Sequence, residues 1–261
     1  MAYELITVEA DPKLGSDYVL ITLDNPAKRN ALSAPMMREL LAAFTEVGAT
    51  DALGVTLAAN GVVFSAGHDF ADMAGTDLRA ARELLGLCTD MMTAIAEMPQ
   101  VVIARVHALA TAAGCQLVAS CDLAVAASSA AFATPGGKGG LFCHTPMVAV
   151  ARNVGRKRAA ELAFTGDPID AATAAAWGLI NRAVPDEELV DATAELLRRA
   201  TRGSAYSKAL GKQTMYAQME LPTDQAYRHA VEMMSAATQT SDAQEGIGSF
   251  LQKRRPTWVN R

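Results

Sequence analysis

Five small residues in a row, Ala110, Thr111, Ala112, Ala113 and Gly114, stand between the β-branched stretch Val101-Val102-Ile103 and the apolar segment Cys115-Gln116-Leu117-Val118-Ala119. That order constrains the chain more than any other feature. A strand must pass into a helix with no side chain large enough to bar an approach to the backbone. The first-turn N–H groups of such a helix have no partner within it, and the positive end of the helix dipole lies beside them. Segment 109–122, LATAAGCQLVASCD, therefore has the makings of an oxyanion site. The competing reading is a buried Ala-rich helix packed closely on its neighbours, because Ala and Gly favour interiors.

A second stretch repeats the pattern. In FSAGHDFADM, residues 64–73, Ser65-Ala66-Gly67 ends a strand and feeds His68-Asp69-Phe70, expected to open a short helix. Here too a backbone N–H faces outward past small residues, while the His68 ring by itself reads as a capped or solvated loop histidine.

Around these two stretches the pattern alternates strand and helix. Strands are expected over 3–9, 17–23, 54–59 and 101–106, and again in LAVAA and AFAT after Asp122. Asn60-Gly61 predicts a turn, with a short strand following over Val62–Phe64. Ser33 with Pro35 predicts a capped helix to about Val47, and a long amphipathic helix spans Thr76 to Met98, closed by Pro99. Residues 135–146, PGGKGGLFCHTP, are too glycine-rich for a helix and read as an irregular loop, without the spacing of a P-loop or a dinucleotide fingerprint. From Thr145 the chain turns helical, over 145–153, 156–164 and 170–177. A short extended piece, Leu179 to Val184, precedes helices over about 186–201, 204–219, 223–238 and 241–253. The fold class is α/β: a core over residues 1–200 and a helical region over 201–261. Ala226, His229, Ala230, Met233 and Met234 form a stripe expected to face another subunit.

Composition narrows the function. Only 5% of residues are aromatic although 51% are hydrophobic, so Ala, Val, Leu and Met must build the core. A net charge of −5 offers no basic footprint for nucleic acid. No run reaches the roughly 18 apolar residues of a membrane helix. Cys88, Cys115, Cys121 and Cys143 lack metal-ligand spacing, so no metal is expected, and unpaired thiols suit a reducing compartment. The N-terminal stretch MAYELITVEADPKLG has no apolar signal region. A cytoplasmic location is the expectation.

Taken in order, NPAKRNAL, FSAGHDF, ATAAGCQLVASCDLAVA, AFATPG, WGLINRAVP and the terminal FLQKRRPTW resemble the crotonase (enoyl-CoA hydratase/isomerase) superfamily over roughly residues 3–258. The resemblance implies a crotonase-like spiral of ββα units with a C-terminal helical trimerisation region, the trimers often paired into hexamers. It implies an acyl-CoA or enoyl-CoA ligand, coenzyme A entering only as part of the thioester and no cofactor being bound permanently. The oxyanion hole it implies is the pair of backbone N–H groups of His68 and Ala113. Ala66, Gly67, Asp69, Phe70 and Ala112 fall on the strip that receives the coenzyme. Lys28, Arg29 and Lys253 fall where the family meets its phosphates.

The sequence departs from the family at its acid–base pair. The two glutamates that handle water and the α-carbon proton are replaced by Gln116 and Gly136. Glutamine orients water but exchanges no proton near neutral pH, and glycine has nothing to offer. Ordinary hydratase chemistry is not expected. His144 is the candidate substitute base, and Cys143 is a weaker candidate nucleophile without an evident activating partner. Three functions stay open: an atypical hydratase or isomerase, a thioester hydrolase, and a non-catalytic acyl-CoA-binding protein.

Overall fold

The structure is a computed structural model and describes residues 3–260. Its strands are β1 (Ile6–Asp11), β2 (Gly15–Leu23), β3 (Gly54–Ala59), β4 (Val101–Val106), β5 (Ala110–Thr111), β6 (Leu123–Ala127), β7 (Ala131–Ala133), β8 (Ile169–Asp170) and β9 (Arg182–Val184). Six of them form one sheet in the order β1-β2-β3-β4-β6-β9, and the other three a small second sheet, β5-β7-β8. The first hairpin is antiparallel; from β2 onward the large sheet is parallel. Parallel strands are covered on both faces, which is why β3, β4 and β6 are mostly apolar, with Thr56 in β3 and Arg105 in β4 the exceptions.

Alternate residues sort to opposite faces of this sheet. Val102, Ala104 and Val106 on β4, with Ala124 and Ala126 on β6, enter the main core. Ile103, Val125 and Ala127 enter a smaller core with Leu189 and Leu197. The main core is filled by helices α1 (Ala34–Gly48) and α2 (Leu78–Glu97), and α3 (Ala113–Ser120), α4 (His144–Val154), α5 (Arg156–Thr165) and α6 (Ala171–Trp177) continue around it. Helix α7 (Leu189–Ala200) covers the opposite face. The period of two along each strand makes this division.

Local chemistry sets the helix ends. Ser33 accepts from the Met36 N–H at 3.4 Å, with Pro35 in the first turn. Asp77 accepts from the Ala80 N–H at 2.8 Å, so α2 begins at Leu78 rather than at Thr76. Two expectations need correction. Val62–Phe64 is not a strand: the buried Asn30 amide donates to the carbonyls of Asn60, Val63 and Phe64 and takes up acceptors a strand would need. Residues Pro135–Gly139 are not irregular but form a 3-10 turn. Such a turn needs only short-range bonds after a proline start, and glycine tolerates it.

Three further helices, α8 (Ala205–Met219), α9 (Thr223–Ala237) and α10 (Ser241–Leu251), end the chain. Helix α9 buries no residue, and Tyr227, Val231 and Met234 lie open along it. Helix α8 is tied to the core by one buried ammonium. Lys212 Nζ donates to the Ile95 and Gln100 carbonyls and to Asp122, each at 2.7 Å. Asp122 also accepts from the Val102 N–H and the Tyr216 hydroxyl, again at 2.7 Å. Burial pushes the Lys212 ammonium below its ordinary pKa, and the Asp122 carboxylate opposes that shift. Removing one partner of a buried, bonded pair costs about 3–5 kcal/mol, because the other charge is left without compensation. Lys212→Met should accordingly lower the unfolding free energy by about 3 kcal/mol or more. Denaturant titration followed by circular dichroism measures it, and a loss below about 1 kcal/mol would show that the pair does not hold α8.

Candidate active site

Two loops meet where the large and small sheets adjoin. The 64–67 loop bonds directly to the stretch before α3: the Phe64 N–H donates to Leu109 O at 2.9 Å, and the Thr111 N–H to Ser65 O at 3.0 Å. Ser65 is held from behind by its hydroxyl, which donates to Asn30 O at 2.8 Å. The packing leaves no room for side chains. A Cβ on Gly114 would stand 2.5 Å from Ser65 O, and one on Gly67 (φ +84°) 3.0 Å from the Ala113 nitrogen. This close approach brings the Gly67-His68 turn against the first turn of α3.

Ala112 carries the strain of the junction. Its φ of 51° and ψ of −118° belong to a region that residues other than glycine rarely occupy, typically at a penalty of about 1–3 kcal/mol. Its own N–H donates to Ala133 O at 2.9 Å, which fixes the residue to β7. Neither the His68 N–H nor the Ala113 N–H donates to an acceptor among the described residues. The two orphan donors thus lie on turns packed against each other.

Both residues line a cavity of about 300 Å³. Ala66, Phe70, Ala112, Gly136, Cys143 and His144 share its wall, with Met73, Leu85, Leu141 and Phe142 supplying apolar surface. Asp69 lies just outside it and caps the 3-10 turn Phe70–Asp72 through the Ala71 N–H at 2.9 Å. Three titratable side chains remain on the wall, His68, Cys143 and His144, and none of its residues is a carboxylic acid. Burial pushes the His68 imidazole below its ordinary value, opposed in smaller measure by the Leu32 backbone and Asp72, so the ring is neutral at pH 7. Its two nitrogens find no hydrogen-bond partner among the described residues. The Cys143 thiol is pushed up by burial, opposed by the Gly136 N–H that donates to Sγ at 3.3 Å. A thiol so placed is a poor nucleophile. His144 is exposed at the start of α4, its ring 5.2 Å from that of Phe142.

Gly136 is closed to any side chain. A Cβ there would stand 2.2 Å from Leu141 O and 2.7 Å from Cys143 Sγ. The segment after the 3-10 turn, from Leu141 to Cys143, covers the position. Gln116 does not line this cavity. It lines a neighbouring one, and Thr145 borders both. Lys28, Arg29 and Lys253 are exposed and stand outside the cavity wall; the Arg29 carbonyl accepts from the Ala66 N–H at 3.0 Å and so anchors the small-residue turn. Asn30 was not singled out from sequence, although its buried amide holds four backbone groups around this turn. The signal for it was weak: an asparagine in a loop next to Lys28-Arg29, suited to its φ of 50°.

Comparison with known proteins accords with this geometry. The family model described as enoyl-CoA hydratase/isomerase matches residues 15–261. Enoyl-CoA hydratase domain-containing protein 3, mitochondrial, of Rattus norvegicus is 43% identical over 91% of this chain and 80% of its own length. LATAAGCQLVASCD, followed by ATPG and GLFCHTP, looks most like that branch on sequence alone. A crystal structure of a Mycobacterium smegmatis enoyl-CoA hydratase has a TM-score of 0.93 and 42% identity, covering 98% of this chain and 99% of that one. That of human enoyl-CoA hydratase domain-containing protein 3 has a TM-score of 0.92 and 40% identity, covering 98% and 100%. The fold is thus crotonase-like. The cytoplasmic location expected from the sequence is overturned, because the relatives of that branch are named as mitochondrial proteins. Unpaired thiols indicate reducing surroundings and do not single out one compartment.

The closure at 136 makes a direct prediction. Gly136→Ala should destabilise the fold by about 1–3 kcal/mol, since the new methyl meets a backbone carbonyl that cannot swing aside. Thermal unfolding measures this, and an unchanged melting temperature would show that the 135–139 turn yields freely.

Proposed function

The chain belongs to the enoyl-CoA hydratase/isomerase family, and on that premise we propose that it binds an acyl-CoA or enoyl-CoA thioester and acts on it through an oxyanion hole. The observation that carries this reading is the pair of unpartnered N–H groups, of His68 and Ala113, at the mouth of two interlocked small-residue turns. A thioester carbonyl gains negative charge as its α carbon loses a proton or its β carbon gains a nucleophile. Donors already fixed where that charge develops favour the transition state over the ground state. As backbone groups they cannot rotate away, and the strained Ala112 holds one of them in place.

In this reading the strip Ala66, Gly67, Asp69 and Phe70 receives the coenzyme moiety, and Lys28, Arg29 and Lys253 meet its phosphates. The coenzyme belongs to the substrate, and no further cofactor is needed. Lys253 reaches the site from a second copy of the chain, in a trimer or dimer of trimers. The apolar surface left open on α9 and α10, including Tyr227, Met234 and Phe250, supports such an assembly.

Proton transfer falls to His144, the imidazole that stands exposed on the cavity wall. A carboxylate cannot be restored at 136 without moving the turn. One observation favours a second reading, of a binding protein without turnover: the lining carries no acid, and the remaining ring, His68, has its nitrogens buried.

Purified protein mixed with a panel of enoyl- and acyl-CoA thioesters separates these readings, with binding followed by calorimetry and turnover by thiol release and absorbance. Turnover of at least one thioester is expected. Ala113→Pro, which removes the N–H at the first position of α3, should lower that turnover about 100–1,000-fold, with circular dichroism and thermal unfolding run alongside because proline also disfavours the backbone of the preceding Ala112. His144→Ala should reduce turnover far more than binding. Binding without any turnover would establish the second reading, and failure of every thioester to bind would overturn both.

A further inference from the structure

His144 opens α4 with no hydrogen bond on its ring. Among the described residues the one histidine ring so bonded is that of His107, to Gly61 O at 2.8 Å. An exposed imidazole left to itself hops between rotamers, and each hop carries its nitrogens away from a fixed partner. A neighbouring ring lies against this one. The centroid of Phe142 is 5.2 Å from that of His144, with the planes tilted by 59°. Phe142 in turn lies 5.8 Å from Phe164, and it packs over Gly137, where a Cβ would stand 3.5 Å from Phe142 Cδ2. Phe164 is 78% exposed, so its contact with Phe142 is not the by-product of a packed core.

The backbone explains how two rings two residues apart come together. Cys143 has φ −75° and ψ 66°, and the His144 N–H donates to Phe142 O at 2.8 Å. These are the angles and the bond of an inverse γ-turn, which folds the chain back within three residues. The turn is pinned at its middle residue. The Cys143 side chain does not cap α4; its Sγ accepts from the Gly136 N–H at 3.3 Å. Its carbonyl accepts from the Met147 N–H at 3.1 Å, the first bond of the helix. A thiol too deeply buried to serve as a nucleophile thus anchors the turn that carries the two rings.

We propose that Phe142 is a positioning residue for His144: its ring, set by the inverse γ-turn that Cys143 anchors on Gly136, holds the imidazole in one orientation at the cavity wall. The inference rests on the reading of His144 as the group that transfers the proton, and it adds a residue that acts through it. An aromatic pair at this spacing biases a rotamer equilibrium by about two- to tenfold, and turnover follows the aligned fraction. Phe142 also lines the cavity, so packing against a ligand has to be separated from holding His144.

A double-mutant cycle on the full chain makes that separation, using a thioester that the protein turns over. Phe142→Leu, which keeps an apolar side chain in the wall, should lower kcat about fivefold with KM within about twofold, and Phe142→Tyr should restore kcat. In the His144→Ala background Phe142→Leu should cost nothing further, because no ring is left to hold. Where His144→Ala leaves too little turnover to compare, nuclear magnetic resonance of the ring protons of the four histidines decides. The His144 signal, identified by its loss in His144→Ala, should carry a ring-current shift that disappears in Phe142→Leu and persists in Phe142→Tyr. An undiminished loss of turnover in the His144→Ala background, or a His144 signal that Phe142→Leu does not move, overturns the proposal and leaves His144 as the proton carrier. Full turnover in His144→Ala, or no turnover of any thioester by wild type, removes that assignment and the proposal with it.

Discussion

The contact between the Ser65-Gly67 turn and the first turn of α3 is the constraint on which the site depends. Two segments more than forty residues apart approach so closely that neither Gly67 nor Gly114 has room for a methyl group. The approach is secured by backbone hydrogen bonds and by the Ser65 hydroxyl on Asn30 O. Because the large sheet fixes β3 and β4 side by side, the loops that follow them emerge at the same edge. The close contact thus follows from parallel pairing together with small residues at the ends of both strands. It sets the His68 and Ala113 N–H groups beside one another without using either in the fold.

The same arrangement explains which chemistry the wall can carry. The wall carries backbone N–H groups, of His68 and Ala113, that no acceptor among the described residues engages. Proton exchange needs side chains, and here the structure has withdrawn them. Leu141 and Cys143 close position 136, and Gln116 lines a different cavity. What remains on the lining is a neutral, buried His68 ring, a thiol raised by burial, and the exposed His144.

A buried polar cluster fastens α8 to the core. Lys212 reaches from α8 to Asp122 just past α3, to the Ile95 carbonyl of α2 and to the Gln100 carbonyl just before β4. Hydropathy could not disclose this, since a lysine within a helix ordinarily reads as a solvated face. Asn30 escaped notice for a similar reason. Its role lies in four backbone partners that come from the chain on both sides of it, and a loop asparagine carries no mark of being buried.

Much was already written in the chain. Apolar runs marked most of the strands of the α/β core, Ser33 and Pro99 marked helix ends, and the two small-residue stretches specified where backbone would lie bare. These are local properties, decided by periodicity and by the sizes of adjacent side chains. Whether the bare donors would stay unpartnered, whether Gly136 had room for anything, and which cavity Gln116 would face were settled only by tertiary structure. Each depends on atoms that other segments place within a few ångströms, and no local pattern encodes that distance.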